Sequence, residues 1–160
     1  MKRMSIIVAA LTVVVAACAT SSPAVAANGA DIVATGPHSA VNDQGTREVH
    51  DQAALEALWK EAFATQSSPP DMPKVDFTKQ TVVAFFLGMK KHGGFRLSIA
   101  RAEPSTVAGM YDVDFAVIMP GDNCPRTTQD ITHPYIIAIV PVTGMQISFD
   151  RTERQTPPCT

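Results

Sequence analysis

Apolar positions change their period several times along this chain, and each change predicts an element. Leu55, Leu58, Trp59, Ala62 and Phe63 recur at spacings of three and four, the stripe of an amphipathic helix. Asp51 just ahead of them is placed to cap it, and Glu56 and Lys60 stand i,i+4 on the opposite side. Gln66-Ser67-Ser68-Pro69-Pro70 ends it. From there the period shortens. Val82 to Leu87 is an unbroken apolar run, which predicts a strand covered on both faces. Phe95, Leu97 and Ile99 alternate with Arg96, Ser98 and Ala100, and Tyr111, Val113, Phe115 and Val117 with Asp112, Asp114 and Ala116, the half-buried pattern. Tyr135 to Val140 is a second continuous run, stopped by Pro141. Ile147 and Phe149, after a turn at Thr143-Gly144, predict a last short strand. Arg47 to His50 add one before the helix.

No helical pattern lies between these later strands, so the usual parallel crossover has no connector and antiparallel pairing is expected. The expected class is α+β: one amphipathic helix packed on a curved antiparallel β-sheet of about five to six strands, closed by a disulfide. That disulfide is read from cysteine parity. Cys124 and Cys159 are the only cysteines beyond residue 18, an even pair in a chain that reads as exported. Closing a loop of about 36 residues would contribute roughly 4 kcal/mol by restricting the unfolded chain.

Export is read from the first residues. Lys2 and Arg3 precede an apolar run from Ile6 to Ala17 broken only by Thr12. The run is shorter than the ~20 residues a membrane span requires and fits a secretory signal peptide. Val15-Ala16-Ala17-Cys18 resembles a bacterial lipobox, which makes Cys18 the lipidation site; Ala24-Val25-Ala26 is a competing cleavage site. The expected organisation is a signal peptide over 1–17, a lipid-anchor and tether segment over 18–30, and a single domain over 31–160. The expected location is the cell envelope, lipid-anchored, or soluble in the periplasm or medium if cleavage falls near Ala26. Charge adds an exclusion. The chain has 13 Lys and Arg against 15 Asp and Glu; without Lys2 and Arg3, 11 stand against 15, net −4. No basic face recruits nucleic acid.

Candidate chemistry concentrates at Gly88-Met89-Lys90-Lys91-His92-Gly93-Gly94. Glycines and lysines between strands can cradle an anion, but the phosphate-loop spacing is missing, and a hairpin using Gly93-Gly94 for positive φ explains the segment with less machinery. Lys90, Lys91, His92, Gly93, Gly94 and His133, which precedes Pro134, form the candidate binding set; His92 and His133 both flank strand ends and read better as two ordinary surface histidines than as a functional pair. The four histidines have no metal-ligand spacing, so neither metal nor cofactor is expected. No G-x-S-x-G is present. Asp112 and Asp114 read as a solvated strand face, and Asp76 as a turn cap. No catalytic activity is expected.

Several short motifs together resemble a known family. Val75-Asp76-Phe77, Val82-Val83-Ala84-Phe85-Phe86-Leu87-Gly88, Gly93-Gly94-Phe95, Pro120-Gly121-Asp122-Asn123-Cys124 and Thr132-His133-Pro134-Tyr135 are similar, in this order, to the C-terminal domain of the protease complex subunit PrcB family. His92 and Phe95 stand where that family commonly has hydroxyl-bearing residues. The resemblance implies a secreted or lipid-anchored accessory subunit without catalytic residues, with another exported or envelope protein, such as a protease, as partner. Two further functions compete: a small anion or glycan site at the Gly-rich segment, and a protease inhibitor presenting Pro120 to Arg126.

Overall fold

The chain is represented by a computed structural model that describes residues 29–122, 124 and 129–157. The signal peptide, Cys18, the tether up to residue 28 and Cys159 lie outside these residues. In order, the elements are β1 (Asp31–Gly36), β2 (Gly45–Val49), α1 (Gln52–Ala62), β3 (Thr81–Phe86), β4 (Arg96–Pro104), β5 (Met110–Met119), β6 (Tyr135–Val140) and β7 (Gln146–Gln155).

The helix forms where its stripe places it. Asp51 is extended, and its Oδ1 accepts a hydrogen bond from the Ala54 N–H at 2.8 Å, filling one of the donors a helix start leaves unpaired. Leu55, Leu58, Trp59 and Ala62 are buried. Glu56 accepts from Gln52 (3.1 Å) instead of pairing with Lys60. The Trp59 Nε1–H donates to the Pro70 carbonyl at 2.8 Å, which ties the proline-rich exit back onto the helix.

The strands do not form one antiparallel sheet. They divide into a four-stranded sheet, β1-β6-β3-β2, and a three-stranded sheet, β4-β5-β7. The expected α+β class with a single curved sheet is thereby corrected to a mainly β, three-layer arrangement of helix, sheet and sheet. Val83, Phe85, Ile136, Ala138 and Val140 from the first sheet meet Ile99, Val113, Phe115, Val117 and Ile147 from the second. The alternate residues of the same strands, Val82, Ala84, Phe86, Ile137 and Ile139, meet the helix. β3 and β6 are therefore buried at every position, which explains their unbroken apolar runs.

Pairing is antiparallel throughout the four-stranded sheet, but β5 and β7 are parallel over Met110–Met119 and Gln146–Gln155. The expectation of antiparallel pairing fails for a physical reason. The chain leaves β5, crosses to β6 in the facing sheet and returns to β7. A strand in the other layer thus serves as the crossover for which a helix was sought. The expected closing disulfide runs from Cys124 to Cys159, and Cys159 lies outside the described residues.

Candidate functional site

The Gly-rich segment is not a hairpin, because β3 and β4 belong to different sheets. Residues 87–95 carry the chain across the end of the sandwich. The Leu87 N–H donates to Pro134 O (2.8 Å) and the Met89 N–H to Asn42 O (2.9 Å). Lys90 and Thr132 exchange both backbone bonds, at 2.8 and 2.9 Å. Gly88 has φ +71°, and a Cβ there would lie 2.9 Å from Asn42 O and Gln44 N, so conformation and space both require glycine. Of the Gly93-Gly94 pair, the positive φ (+95°) falls on Gly94, where the chain turns into β4.

Lys90 and Thr132 form an isolated antiparallel bridge. Met89 and Lys91 flank Lys90 and Ile131 precedes Thr132; all three flanking residues are exposed, whereas Thr132 is buried. Met89 and Ile131 are the most exposed large apolar residues of this ribbon, at 56% and 58%. The structure therefore joins Lys90, Lys91 and Thr132 into one ribbon and adds an apolar pair that periodicity had not marked. Met89 and Ile131 belong to no strand run, and the only signal in the sequence was an apolar residue beside Gly88 and one beside Thr132 with no core stripe to join.

His92 and His133 are not paired with each other. The His92 Nδ1 lies 3.0 Å from Gly93 O, its ring stacks on Phe95 (centroids 5.1 Å, 23°), and its carbonyl accepts from Thr132 Oγ1 at 2.9 Å. His133 instead pairs by its backbone with the segment around His38: its N–H donates to Pro37 O (2.8 Å) and its carbonyl accepts from the Ser39 N–H (3.0 Å).

Beside this crossing lies a cavity of about 570 Å³, lined by Lys91, His92, Phe95, Met119, Pro120, Gly121, Asp122, Cys124, Gln129 and Gln155. The chain end after β7 builds its floor. The Thr156 N–H donates to Met119 O (3.0 Å) and the Gly121 N–H to Thr156 Oγ1 (2.7 Å). A Cβ on Gly121 would lie 2.1 Å from Pro157 O, so the tail packs directly on the glycine backbone. Cys124 Sγ approaches the same carbonyl at 4.0 Å. Of the loop from Pro120 to Arg126, Asn123, Pro125 and Arg126 lie outside the described residues. Its start is not a presented loop, since Gly121 is buried under the tail.

The carboxylates do not form an acid–base pair. Arg101 takes Asp114 at 2.8 Å, Asp112 at 3.7 Å and Glu103 at 3.3 Å on the outer face of the second sheet. Its hydrogen bond to Asp114, with the attraction of that carboxylate, raises the guanidinium pKa. Arg101 reaches that face because β4 carries a bulge between Ile99 and Arg101, which resets the alternation and turns Ala102 inward. Asp76 caps a turn: its carboxylate accepts from the Thr78 hydroxyl (2.6 Å) and N–H (3.1 Å), which holds its pKa down, with Lys79 at 3.4 Å. Among the described residues no three of His, Cys, Asp and Glu come together as a metal site, and no helix is long and apolar enough to cross a membrane.

No curated protein and no solved structure matches the chain. Residues 81–141 match the family described as PrcB C-terminal. That stretch holds β3 to β6, the Gly-rich crossing and the Thr132 arm of the ribbon, and over these residues the chain is similar to the PrcB family.

Proposed function

We propose that this protein is a non-catalytic accessory subunit of the cell envelope. It is anchored by a lipid on Cys18 and grips a second exported protein through the ribbon of Met89, Lys91, Ile131 and His133. The observation that carries this reading is that the PrcB C-terminal match covers both arms of that ribbon, whose two apolar side chains stand in solvent. An accessory role in a protease complex fits the family in general terms; an exported protease is the first partner to test. Exposed apolar side chains beside cationic ones suit the centre and rim of a protein interface.

The test is chemical crosslinking of the tagged full chain in its native cell, with recovery from membranes and mass spectrometry. Wild type is expected to enrich one exported protein, and the pair Met89→Asp with Ile131→Asp to lose it while melting as wild type does. Recovery undiminished by those substitutions would remove the ribbon from the interface. An empty wild-type recovery would remove the accessory reading.

The cavity favours a second reading. Its volume of about 570 Å³ beside Lys91 and His92 falls in the range of small-ligand sites, and a small anion or acidic glycan fragment suits those side chains. Calorimetry with sulfate and with uronic-acid oligosaccharides checks this; equal, negligible heats for wild type and Lys91→Glu would end it.

A further inference from the structure

We propose that the outer edge of β7 joins two copies of this chain by antiparallel pairing centred on Thr152, making one six-stranded sheet from two three-stranded ones. This inference is independent of the accessory reading, since it uses a different edge of the molecule.

β7 is ten residues long and among the described residues has a single neighbour, β5, which leaves its other side an open edge there. From Asp150 onward every residue is exposed. A long open edge is a template for another strand. Charged residues on an edge normally discourage such pairing, but their order here does the opposite. Asp150-Arg151-Thr152-Glu153-Arg154 is complementary to its own reverse. With Thr152 opposite Thr152 of a second copy, Asp150 faces Arg154, Arg151 faces Glu153, and each pair occurs twice.

The register is specified by what its neighbours would cost. A shift of one position in one direction puts Arg151 against Arg154. A shift in the other puts Asp150 against Glu153. Like charges directly opposite are destabilising, whereas opposite charges and Thr–Thr pairs stabilise a ladder. A two-fold axis through one residue pair is also the symmetry of an isologous dimer.

The single copy leaves these groups unsatisfied in a telling way. Arg154 makes no ion pair among the described residues, and Asp150 makes none either. The Asp150 carboxylate instead accepts from the next residue's own N–H, that of Arg151, at 2.7 Å, which is how a strand donor is occupied when no strand lies across from it. Asp150 also stands beside Asp114 in the β5–β7 register, so a cation arriving from outside relieves a like-charge neighbour. Arg151 and Glu153 already pair within the strand at 3.1 Å, and the second copy extends that pair into a row of four alternating charges.

Sedimentation velocity on the purified full chain, from micromolar to submillimolar concentration, tests the proposal. Wild type is expected to show a monomer–dimer equilibrium that weakens with added salt. Arg154→Asp is expected to raise the dimer Kd by about tenfold, because it turns two attractive pairs into repulsive ones. Combining Asp150→Arg with Arg154→Asp restores opposite charges across the pair of positions 150 and 154 and is expected to recover the dimer. A wild type that stays monomeric throughout overturns the proposal. So does a dimer indifferent to Arg154→Asp, or one that the double exchange fails to restore.

Discussion

Gly88 shows how one position can be fixed twice, by its own conformation and by its neighbours. Its φ of +71° alone disfavours a side chain, and Asn42 O and Gln44 N leave a Cβ no room. Gly144 has nearly the same φ, +72°, but open space around it. Gly88→Ala is therefore expected to cost well over ~1 kcal/mol and Gly144→Ala to cost less, in urea unfolding of each variant. Phe115 makes a contrast of size. Its ring lies between Phe85 (5.1 Å) and Phe149 (6.0 Å), at 1% exposure. Phe115→Ala should lose about 3–5 kcal/mol by the same measurement. Asp76 carries a pH effect. Its hydrogen bonds to Thr78 lower its pKa in the folded chain, so the carboxylate adds stability above the ordinary carboxylate range and loses it as pH falls through the folded value. Asp76→Asn should melt below wild type at neutral pH, with the gap closing in strong acid; a gap that persists there would assign the effect to something other than charge.

At the scale of elements, the helix shows the closest agreement between pattern and fold. Its cap, stripe and exit were all legible because each depends on residues within a turn or two. What the stripe left open was the role of Trp59, which packs edge-on against Phe63 (4.9 Å) and also holds Pro70 by its indole N–H. Trp59→Phe keeps the packing and removes the bond, and thermal unfolding should register a loss of about 0.5–1.5 kcal/mol beyond any repacking. The strands divide into two groups. β3 and β6 were legible because burial on both faces leaves a continuous apolar run. β1 was not, since only Ala34 along it is fully buried. β7 was read as a short strand around Ile147 and Phe149, yet it runs to Gln155. Its second half has water on both faces, so it carries no apolar period, and backbone bonds to β5 alone make it a strand.

For the whole molecule, the decisive fact is that two sheets share one core while the helix occupies the far side of the first. This arrangement sends the Gly-rich segment across the sandwich rather than around a hairpin, and the crossing lies beside Thr132 and the loop after β5. Lys90, Lys91 and His92 were marked from composition, and they do gather at one end of the fold. The backbone at 132–134 is shared between two neighbours, Lys90 on one side and Pro37 to Ser39 on the other. The ribbon sits outside both core clusters. Substitutions at Met89 and Ile131 are therefore expected to leave the melting temperature unchanged while altering partner recovery, and a matching fall in both would make them structural residues.

The amino-acid sequence by itself determined the local facts: where the helix begins and ends, which strands are buried on both faces, which carboxylates sit on a solvated face, and the motif order by which 81–141 resemble the PrcB C-terminal domain. These are legible because they depend on near neighbours and on the period at which side chains meet a hydrophobic layer. Tertiary structure alone decided which sheet each strand joins, that β5 and β7 run parallel, and that Met89 and Ile131 flank one bridge, each exposed. Alternation states that a face is covered but not by what. Two buried faces look alike in sequence whether a helix or another sheet covers them, and only the packed chain distinguishes the two.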